Sequence, residues 1–187
     1  MPKRKADIRS RLLHAAMRVT YRYGYDTASL ADIAKEAKVP LGNVYYYFKT
    51  KDEIGGAIVD QRIARLKGLL QELDQLDSPK ERLCGFVQLK IDNREELARS
   101  GCPAGTLSSE LKKHGGAVAS KVSGLFAEAL SWIEEQFRAL GKGSESRRLA
   151  VHLLSGTQGV SLLAHVFDDA EMITMEAASL KEWIRSL

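Results

Sequence analysis

The segment from Thr27 to Ile54, TASLADIAKEAKVPLGNVYYYFKTKDEI, carries two short helical patterns separated by a break. Ser29 and Asp32 have the spacing of a capping box, which predicts that a helix begins there and buries Leu30, Ile33, Ala34 and Ala37. The break falls at residues 38–39, and Pro40 suits the first turn of a second helix. Two short helices joined by a tight turn, within about 20 residues, predict a helix-turn-helix.

The second helix, predicted over Leu41–Phe48, has an unusual outer face. Val44 and Phe48 are four residues apart and are expected to face the core, which leaves Gly42, Asn43, Tyr46 and Tyr47 on the opposite side. Soluble proteins rarely leave an aromatic face without a use. Against DNA, asparagine can bond adenine, aromatic rings can contact thymine methyls, and phenols and lysines can reach phosphates. The alternative is that the tyrosines pack on the first helix with only their hydroxyls in water, and it stays open for Tyr45 in particular.

Positive charge is concentrated in the same part of the chain. Residues 1–51 contain 11 Lys and Arg against 4 Asp and Glu, whereas the remaining residues contain 17 against 20. This asymmetry favours an anionic partner for the N-terminal part, although a solvated basic surface would give the same count.

The rest of the chain also has helical periodicity, so an all-α fold is expected. Further helices are predicted over residues 51–76, 79–97, 106–114 and 117–140, then from a Ser144 cap to 167, and from 168 to 184. We therefore predict a three-helix DNA-binding domain over residues 1–51 and a larger helical domain over residues 52–187.

Several functional classes find no support in the sequence. No run of 18 apolar residues predicts a membrane span, and the basic N-terminus lacks the apolar stretch of a secretory signal. The two cysteines, Cys84 and Cys102, do not form a disulfide framework, so a cytoplasmic protein is expected. The four histidines are scattered and no catalytic or phosphate-binding motif occurs, so we expect no enzyme activity, metal or cofactor.

The helix-turn-helix segment resembles the DNA-binding signature of the TetR family of bacterial repressors. The resemblance rests on Thr27, on Ile33-Ala34, on Val39 and Gly42, on Tyr45 to Phe48, and on Lys51. Lys38 departs from the pattern, because this family usually has glycine in the turn. If this position requires a positive φ, lysine there costs about 1 kcal/mol.

By position, the resemblance implies a set of DNA contacts. Base or groove contacts are expected from Pro40, Leu41, Asn43 and Tyr46, with Gly42 allowing close backbone approach. Phosphate contacts are expected from Thr27, Ser29, Tyr45, Tyr47 and Lys51. The resemblance also implies a homodimer on a pseudo-palindromic operator that a small-molecule effector releases. The alternative is an all-helical binding or catalytic protein whose helix-turn-helix serves only packing.

The resemblance implies that the larger domain pairs two chains and binds the effector. Small residues Ser155, Gly156, Gly159 and Ser161 lie among leucines and valines, which favours close helix approach in a four-helix dimer interface with residues 172–184. A purely intramolecular core would use the same pattern. Helical spacing makes four apolar residues candidate walls of an effector pocket, although each could be ordinary core: Phe86, Leu125, Phe126 and Trp132.

Cys102 lies in SGCPAGTLSSEL, just before a predicted helix and near Arg99. A thiol at a helix N-terminus beside a basic residue is more reactive than usual. The stretch resembles the Gly-Cys segment of a TetR subgroup in which some members sense electrophiles or oxidants. Cys102 is therefore a candidate sensor, and the alternative is a small buried residue at a tight corner.

Overall fold

The structure is a computed structural model that describes the backbone of residues 2–187 and the side chains of residues 7–187. This part of the chain is helical and contains no strand, which confirms the predicted all-α class. The helices are α1 Pro2–Tyr23, α2 Leu30–Ala37, α3 Leu41–Tyr47, α4 Lys51–Leu73, α5 Pro79–Asp92, α6 Arg94–Ser100, α7 Pro103–His114, α8 Gly116–Ala139, α9 Ser146–Phe167 and α10 Glu171–Ser186.

Several predicted bounds were wrong, including those of the last helix, which spans Glu171–Ser186 and not residues 168–184. The single helix expected over residues 79–97 is two helices, because the backbone leaves helical geometry at Asn93 (φ −112°, ψ 13°). Helix α4 ends at Leu73, and α7 begins at Pro103. Ser144 does not cap α9 but lies in a short 3-10 turn, Gly143–Glu145, ahead of it.

One compact unit consists of the chain up to Arg62 together with Thr106–Leu125. Its core is formed by apolar side chains of α1 to α4, with contributions from α7 and the first half of α8. The largest fully buried members are Leu12, Tyr25, Ile33, Ile54, Ile58 and Leu111. We call this the DNA-binding unit because it contains the helix-turn-helix.

The second unit consists of Ile63–Gly105 and Phe126–Leu187. Helix α9 runs through its core and contacts α10 and α6, while α10 also packs on α5. Buried side chains that share one cluster include Leu83, Phe86, Ile133, Phe137, Leu153 and Ile184. Whether residues 1–51 fold as an independent domain stays a prediction.

Helix α9 also has an exposed apolar side, which we call the apolar strip. It is formed by Val151, Leu162, Leu163, Val166 and Phe167, with Met175 of α10 similarly exposed. In the described residues, one segment, Gly143–Phe167, is long and apolar enough to cross a membrane by length and composition. Core helices of soluble proteins pass the same test, and the inner side of this helix is core.

Candidate nucleic-acid interface

Helix α2 begins as its sequence predicts. Ser29 is extended (φ −96°, ψ 159°), its hydroxyl accepts a hydrogen bond from the Asp32 amide, and the Asp32 carboxylate accepts from the Ser29 amide at 3.1 Å. The Ser29 hydroxyl also donates to Asp32, which lowers the pKa of that carboxyl. Ser29 is exposed, but its side chain already has partners within the chain, while Thr27 is exposed two residues earlier.

Helix α3 separates an inner from an outer face as predicted. Val44 and Phe48 are buried, and Phe48 caps the helix with extended backbone. On the outside, Tyr46 is 58% exposed and Tyr45 50% exposed. Leu41 and Gly42 are also exposed, whereas Asn43 and Tyr47 are half-buried.

The outer face of α3 contains two tyrosine rings in contact and an exposed glycine. The rings of Tyr46 and Tyr47 meet edge to face, with centroids 4.9 Å apart and planes at 84°. A Cβ on Gly42 would meet no atom of the described chain within 4 Å. Packing within the protein therefore does not require glycine at this exposed helical position, where it costs about 1 kcal/mol relative to alanine. That Gly42 allows close approach of DNA to the backbone stays a prediction.

The turn between α2 and α3 is held by backbone and by α1. Lys38 adopts a left-handed conformation (φ 54°, ψ 48°), and the Val39 amide donates to the Ala34 carbonyl at 3.0 Å. The Arg11 guanidinium donates to the Ala37 carbonyl at 2.7 Å, which satisfies an end carbonyl of α2. Both hydrogen bonds are accepted by main-chain carbonyls of α2, and together they hold the turn that connects α2 to α3.

Lys51 has partners inside the protein. Its ammonium donates to the Asp26 carbonyl at 2.8 Å and lies 4.9 Å from the centroid of the Tyr25 ring. Lys49 likewise donates to the Tyr45 carbonyl at 3.0 Å. Both lysines lie next to α3, yet each also stabilises the chain, so a phosphate contact from Lys51 stays a prediction.

Tyr25 lies in the core of the DNA-binding unit, and the sequence analysis did not predict its structural role. It is fully buried, and its hydroxyl donates to the Lys51 carbonyl at 2.9 Å. Burial, reinforced by the nearby Asp52 carboxylate, raises the pKa of its phenol well above the usual range. This side chain joins the end of α1 to the start of α4.

Helix α7 contributes two side chains to the same cluster. The Glu110 carboxylate accepts a hydrogen bond from the Tyr25 amide, and it fills the space where a Cβ on Gly24 (φ +85°) would stand, 2.9 Å from Glu110 Oε1. His114 meets the Tyr25 ring edge to face, with its nitrogens 3.4 Å from Asp26 and 3.2 Å from Asp52. No local sequence pattern predicted these contacts.

Three of the four candidate effector residues share one region of the second unit. The rings of Phe86 and Trp132 lie 6.1 Å apart, Phe126 packs against the same cluster, and the indole N–H of Trp132 donates to Asp74 at 2.8 Å. Leu125 is buried but belongs to the DNA-binding unit. The structure therefore groups Phe86, Phe126 and Trp132 and leaves Leu125 outside the group.

Cys102 is half-buried immediately before α7. Its sulfur accepts a long hydrogen bond, 3.5 Å, from the Gly105 amide. Arg99, the expected basic neighbour, forms an ion pair with Glu96 at 3.3 Å. Cys84 is in a different situation, since burial raises the pKa of its thiol. Among the described residues, no group of three or more His, Cys, Asp or Glu side chains could hold a metal ion.

The family model described as "Bacterial regulatory proteins, tetR family" matches residues 12–58, which include α2, α3 and the Tyr25 contacts with α4. Residues 12–58 therefore carry the helix-turn-helix segment of the TetR family. An uncharacterised helix-turn-helix regulator of Bacillus subtilis, YxaF, is 31% identical over 57% of this chain and 57% of its own length. The chain thus spans little more than half of that relative.

Two further proteins are similar to this chain over most of its length. An uncharacterised regulator encoded in the lacX 3′ region of Lactococcus lactis is 28% identical over 92% of this chain and 91% of its own length. The structure of reduced Escherichia coli NemR, a protein named as a transcriptional repressor, superposes with a TM-score of 0.81 at 21% identity, covering 94% of this chain and 96% of NemR. The chain is a transcriptional regulator, as predicted. None of these three proteins favours the alternative, an all-helical binding or catalytic protein whose helix-turn-helix serves only packing.

Proposed function

We propose that this chain represses transcription as a homodimer, binding a pseudo-palindromic operator through α3 and leaving it when an effector binds. The observation that carries the proposal is the outer face of α3, where Tyr46, Gly42 and Asn43 lie on a positively charged unit without a packing reason for the glycine. A regulator of this kind acts in the cytoplasm and needs no catalytic residues.

The apolar strip supports the dimer. Exposed contiguous apolar side chains on a soluble protein mark a binding surface, and Leu162, Val166 and Phe167 are each more than 60% exposed. Gly159 lies on the same side, and a Cβ there would meet nothing of its own chain within 4 Å. A second copy of α9 that packs against Gly159 explains both features.

The other small residues of α9 have intramolecular roles. A Cβ on Gly156 would lie 3.3 Å from Leu180, so this glycine lets α10 approach α9. Ser161 is fully buried and its hydroxyl donates to the Thr157 carbonyl at 2.7 Å. The proposed dimer contact is therefore narrower than the sequence suggests, with Gly159 and Ser155 as its small residues.

The symmetry of a dimer sets the operator geometry. Two α3 helices related by a two-fold axis would enter successive major grooves about 34–36 Å apart. Their base contacts would come from Pro40, Leu41, Asn43 and Tyr46, and their phosphate contacts from Thr27, Ser29, Tyr45, Tyr47 and Lys51. Inverted half-sites one helical turn apart are the DNA that such a dimer fits.

Control requires an effector whose affinity differs between the DNA-bound and released states. The aromatic group of Phe86, Phe126 and Trp132, with the Trp132–Asp74 hydrogen bond, offers apolar contacts and one polar anchor. This combination favours a mainly apolar small molecule. Helix α4 is continuous from Lys51 to Leu73 and is the candidate route for the signal.

Cys102 is the candidate reactive group for this control. It is half-buried, precedes a helix and packs against the cluster that contains Leu97 and Ala98, and its sulfur accepts a hydrogen bond from the Gly105 amide. A thiol that is partly exposed at a helix start is the kind that oxidants and alkylating agents modify. Operator release by mild peroxide or N-ethylmaleimide should occur in the wild type and fail in Cys102→Ser, with Cys84→Ser as the matched control. If the wild type and Cys102→Ser release DNA equally, or if neither does, Cys102 is a structural residue and the signal is a non-covalent effector.

The operator sequence can be identified by selecting, from a pool of random duplexes, those that the full-length protein binds. We expect enrichment of an inverted repeat, and light scattering of the complex should give two chains per duplex. Two dimers on one short site would revise the stoichiometry. Absence of any enriched sequence would remove the proposed function and favour a helical protein whose helix-turn-helix only packs.

A further inference from the structure

Lys38 has a strained backbone at the turn between α2 and α3. Its φ of 54° and ψ of 48° lie in the left-handed region, and within the described part of the chain it shares a positive φ with only one other residue that is not glycine, Asp168. A Cβ in this conformation crowds the following carbonyl, so glycine and asparagine usually occupy it.

The protein gains nothing from the Lys38 side chain through its own packing. The hydrogen bonds of Lys38 to α2 run from its backbone amide to the Ala34 and Lys35 carbonyls, and glycine would make them equally well. The side chain is exposed, and its ammonium forms no hydrogen bond or ion pair with any residue that the structure describes. Strain that the fold does not require points to a role for the side chain.

The charges around Lys38 leave its ammonium available. Arg11 donates to the carbonyls of Ala37 and Lys38, at 2.7 and 3.5 Å. Glu36 is the acid close enough to interact with Lys38, but it is already held by Arg18 at 2.7 Å. Positive charge therefore exceeds negative charge at this turn, and Lys38 lies only two residues before the Pro40 cap of α3.

We propose that Lys38 binds a DNA phosphate at the edge of the major groove that α3 enters, and that the strained turn persists because it places this charge there. The inference rests on the proposed DNA-binding function and adds a contact at the turn, outside the set that the family pattern implies. A phosphate contact of this kind contributes to affinity for every sequence and does not read bases.

The test compares Lys38→Gly, Lys38→Asn and Lys38→Arg with the wild type by fluorescence anisotropy, on the duplex enriched by selection and on a random duplex, from 50 to 300 mM salt. Glycine and asparagine both accept the left-handed conformation without the charge. We expect each to bind both duplexes about three- to tenfold more weakly, with a salt slope lower by about one unit per chain. Lys38→Arg should stay within about twofold of the wild type, since it keeps the charge.

Two controls separate this contact from other causes. Lys113→Ala removes one exposed charge of the same unit from α7, and it should leave the salt slope unchanged. Lys38→Gly should keep the wild-type Tm or raise it by up to about 4 °C, so its weaker binding is not due to unfolding. If the glycine and asparagine variants bind with wild-type affinity and slope, Lys38 makes no phosphate contact. If the wild type itself binds no duplex, the proposed function and this inference are both wrong.

Discussion

A Cβ atom on Gly55 would lie 2.9 Å from the hydroxyl oxygen of Tyr25 and 3.0 Å from its ring. Real Cβ atoms essentially never come so close, and the Tyr25 ring is fully buried, so it has no free space into which to move. The neighbouring Gly56 is different, since the nearest atom to a Cβ there would be the Lys121 ammonium nitrogen, at 4.0 Å. Adjacent glycines of α4 therefore have different roles.

The first prediction concerns this pair. Gly55→Ala should lower the free energy of unfolding by about 1–3 kcal/mol, because the added methyl displaces the Tyr25 ring. Gly56→Ala should raise it by about 0.5–1 kcal/mol, because alanine is the better helix former. Urea unfolding of both variants measures the difference, and equal stabilisation by both would show that the Tyr25 ring does not pack against Gly55.

The second prediction concerns Glu110. Glu110→Ala leaves the Tyr25 amide without its acceptor in a largely buried place, so the free energy of unfolding should fall by about 1–3 kcal/mol. Hydrogen exchange of the Tyr25 amide should accelerate more than that of Val44 in α3. Lys113→Ala, three residues further along α7, is the control and should change neither quantity. An unchanged Tyr25 amide in Glu110→Ala would mean that the contact does not form.

Local chemistry made the helix-turn-helix predictable. The capping box of Ser29 and Asp32 and the inward pair Val44 and Phe48 depend on residues three or four apart, and each was confirmed. The positive φ that a family glycine would imply at Lys38 is also present. Patterns that involve residues within about one turn of helix can be recognised in a single sequence.

The features that were missed depend on distant residues or on continuous periodicity. The contact between Tyr25 and Glu110 spans 85 positions, and no local pattern announces it. The break at Asn93 was invisible because apolar residues recur at helical spacing on both sides of it. The sequence could not show whether Lys51 binds a phosphate or the Asp26 carbonyl, because both contacts require a lysine at the same position.

The third prediction concerns alkaline pH. Because the pKa of the Tyr25 phenol is raised in the folded state, the neutral form stabilises the fold below the ordinary tyrosine pKa of about 10, and this contribution is lost as pH rises beyond it. Melting curves between pH 8 and 11 should therefore decline more steeply for the wild type than for Tyr25→Phe. Lysine titration affects both proteins alike, so parallel declines would contradict the burial of this hydroxyl.

The fourth prediction concerns the apolar strip. Leu162→Arg places a charge in the proposed contact between two α9 helices and should convert the dimer to monomers, with operator affinity falling at least tenfold because two half-sites are no longer bound together. Sedimentation velocity gives the mass. Leu76→Lys removes an exposed leucine that lies outside the strip and should remain dimeric. A dimeric Leu162→Arg protein would place the interface elsewhere.

The fifth prediction compares the base-reading and phosphate-binding residues. Lys51→Ala should weaken binding to all duplexes and lower the salt slope by about one unit per chain. It should also lower the Tm, because the ammonium holds the Asp26 carbonyl and covers the Tyr25 ring. Tyr46→Ala should keep the wild-type Tm, since the Tyr46 side chain is largely exposed and its ring contact with Tyr47 lies on the outer face of α3. A Tm that is unchanged in Lys51→Ala would contradict the structural role of this lysine.

The most direct test of the central claim, that α3 reads DNA sequence, is the affinity of Tyr46→Ala for the selected operator and for a random duplex at one salt concentration. We expect the operator affinity to fall by about five- to 100-fold, equivalent to a lost base contact of about 1–3 kcal/mol, while the affinity for random DNA changes less than twofold. Equal losses on both duplexes, or no loss on either, would contradict the assignment of α3 as the recognition helix.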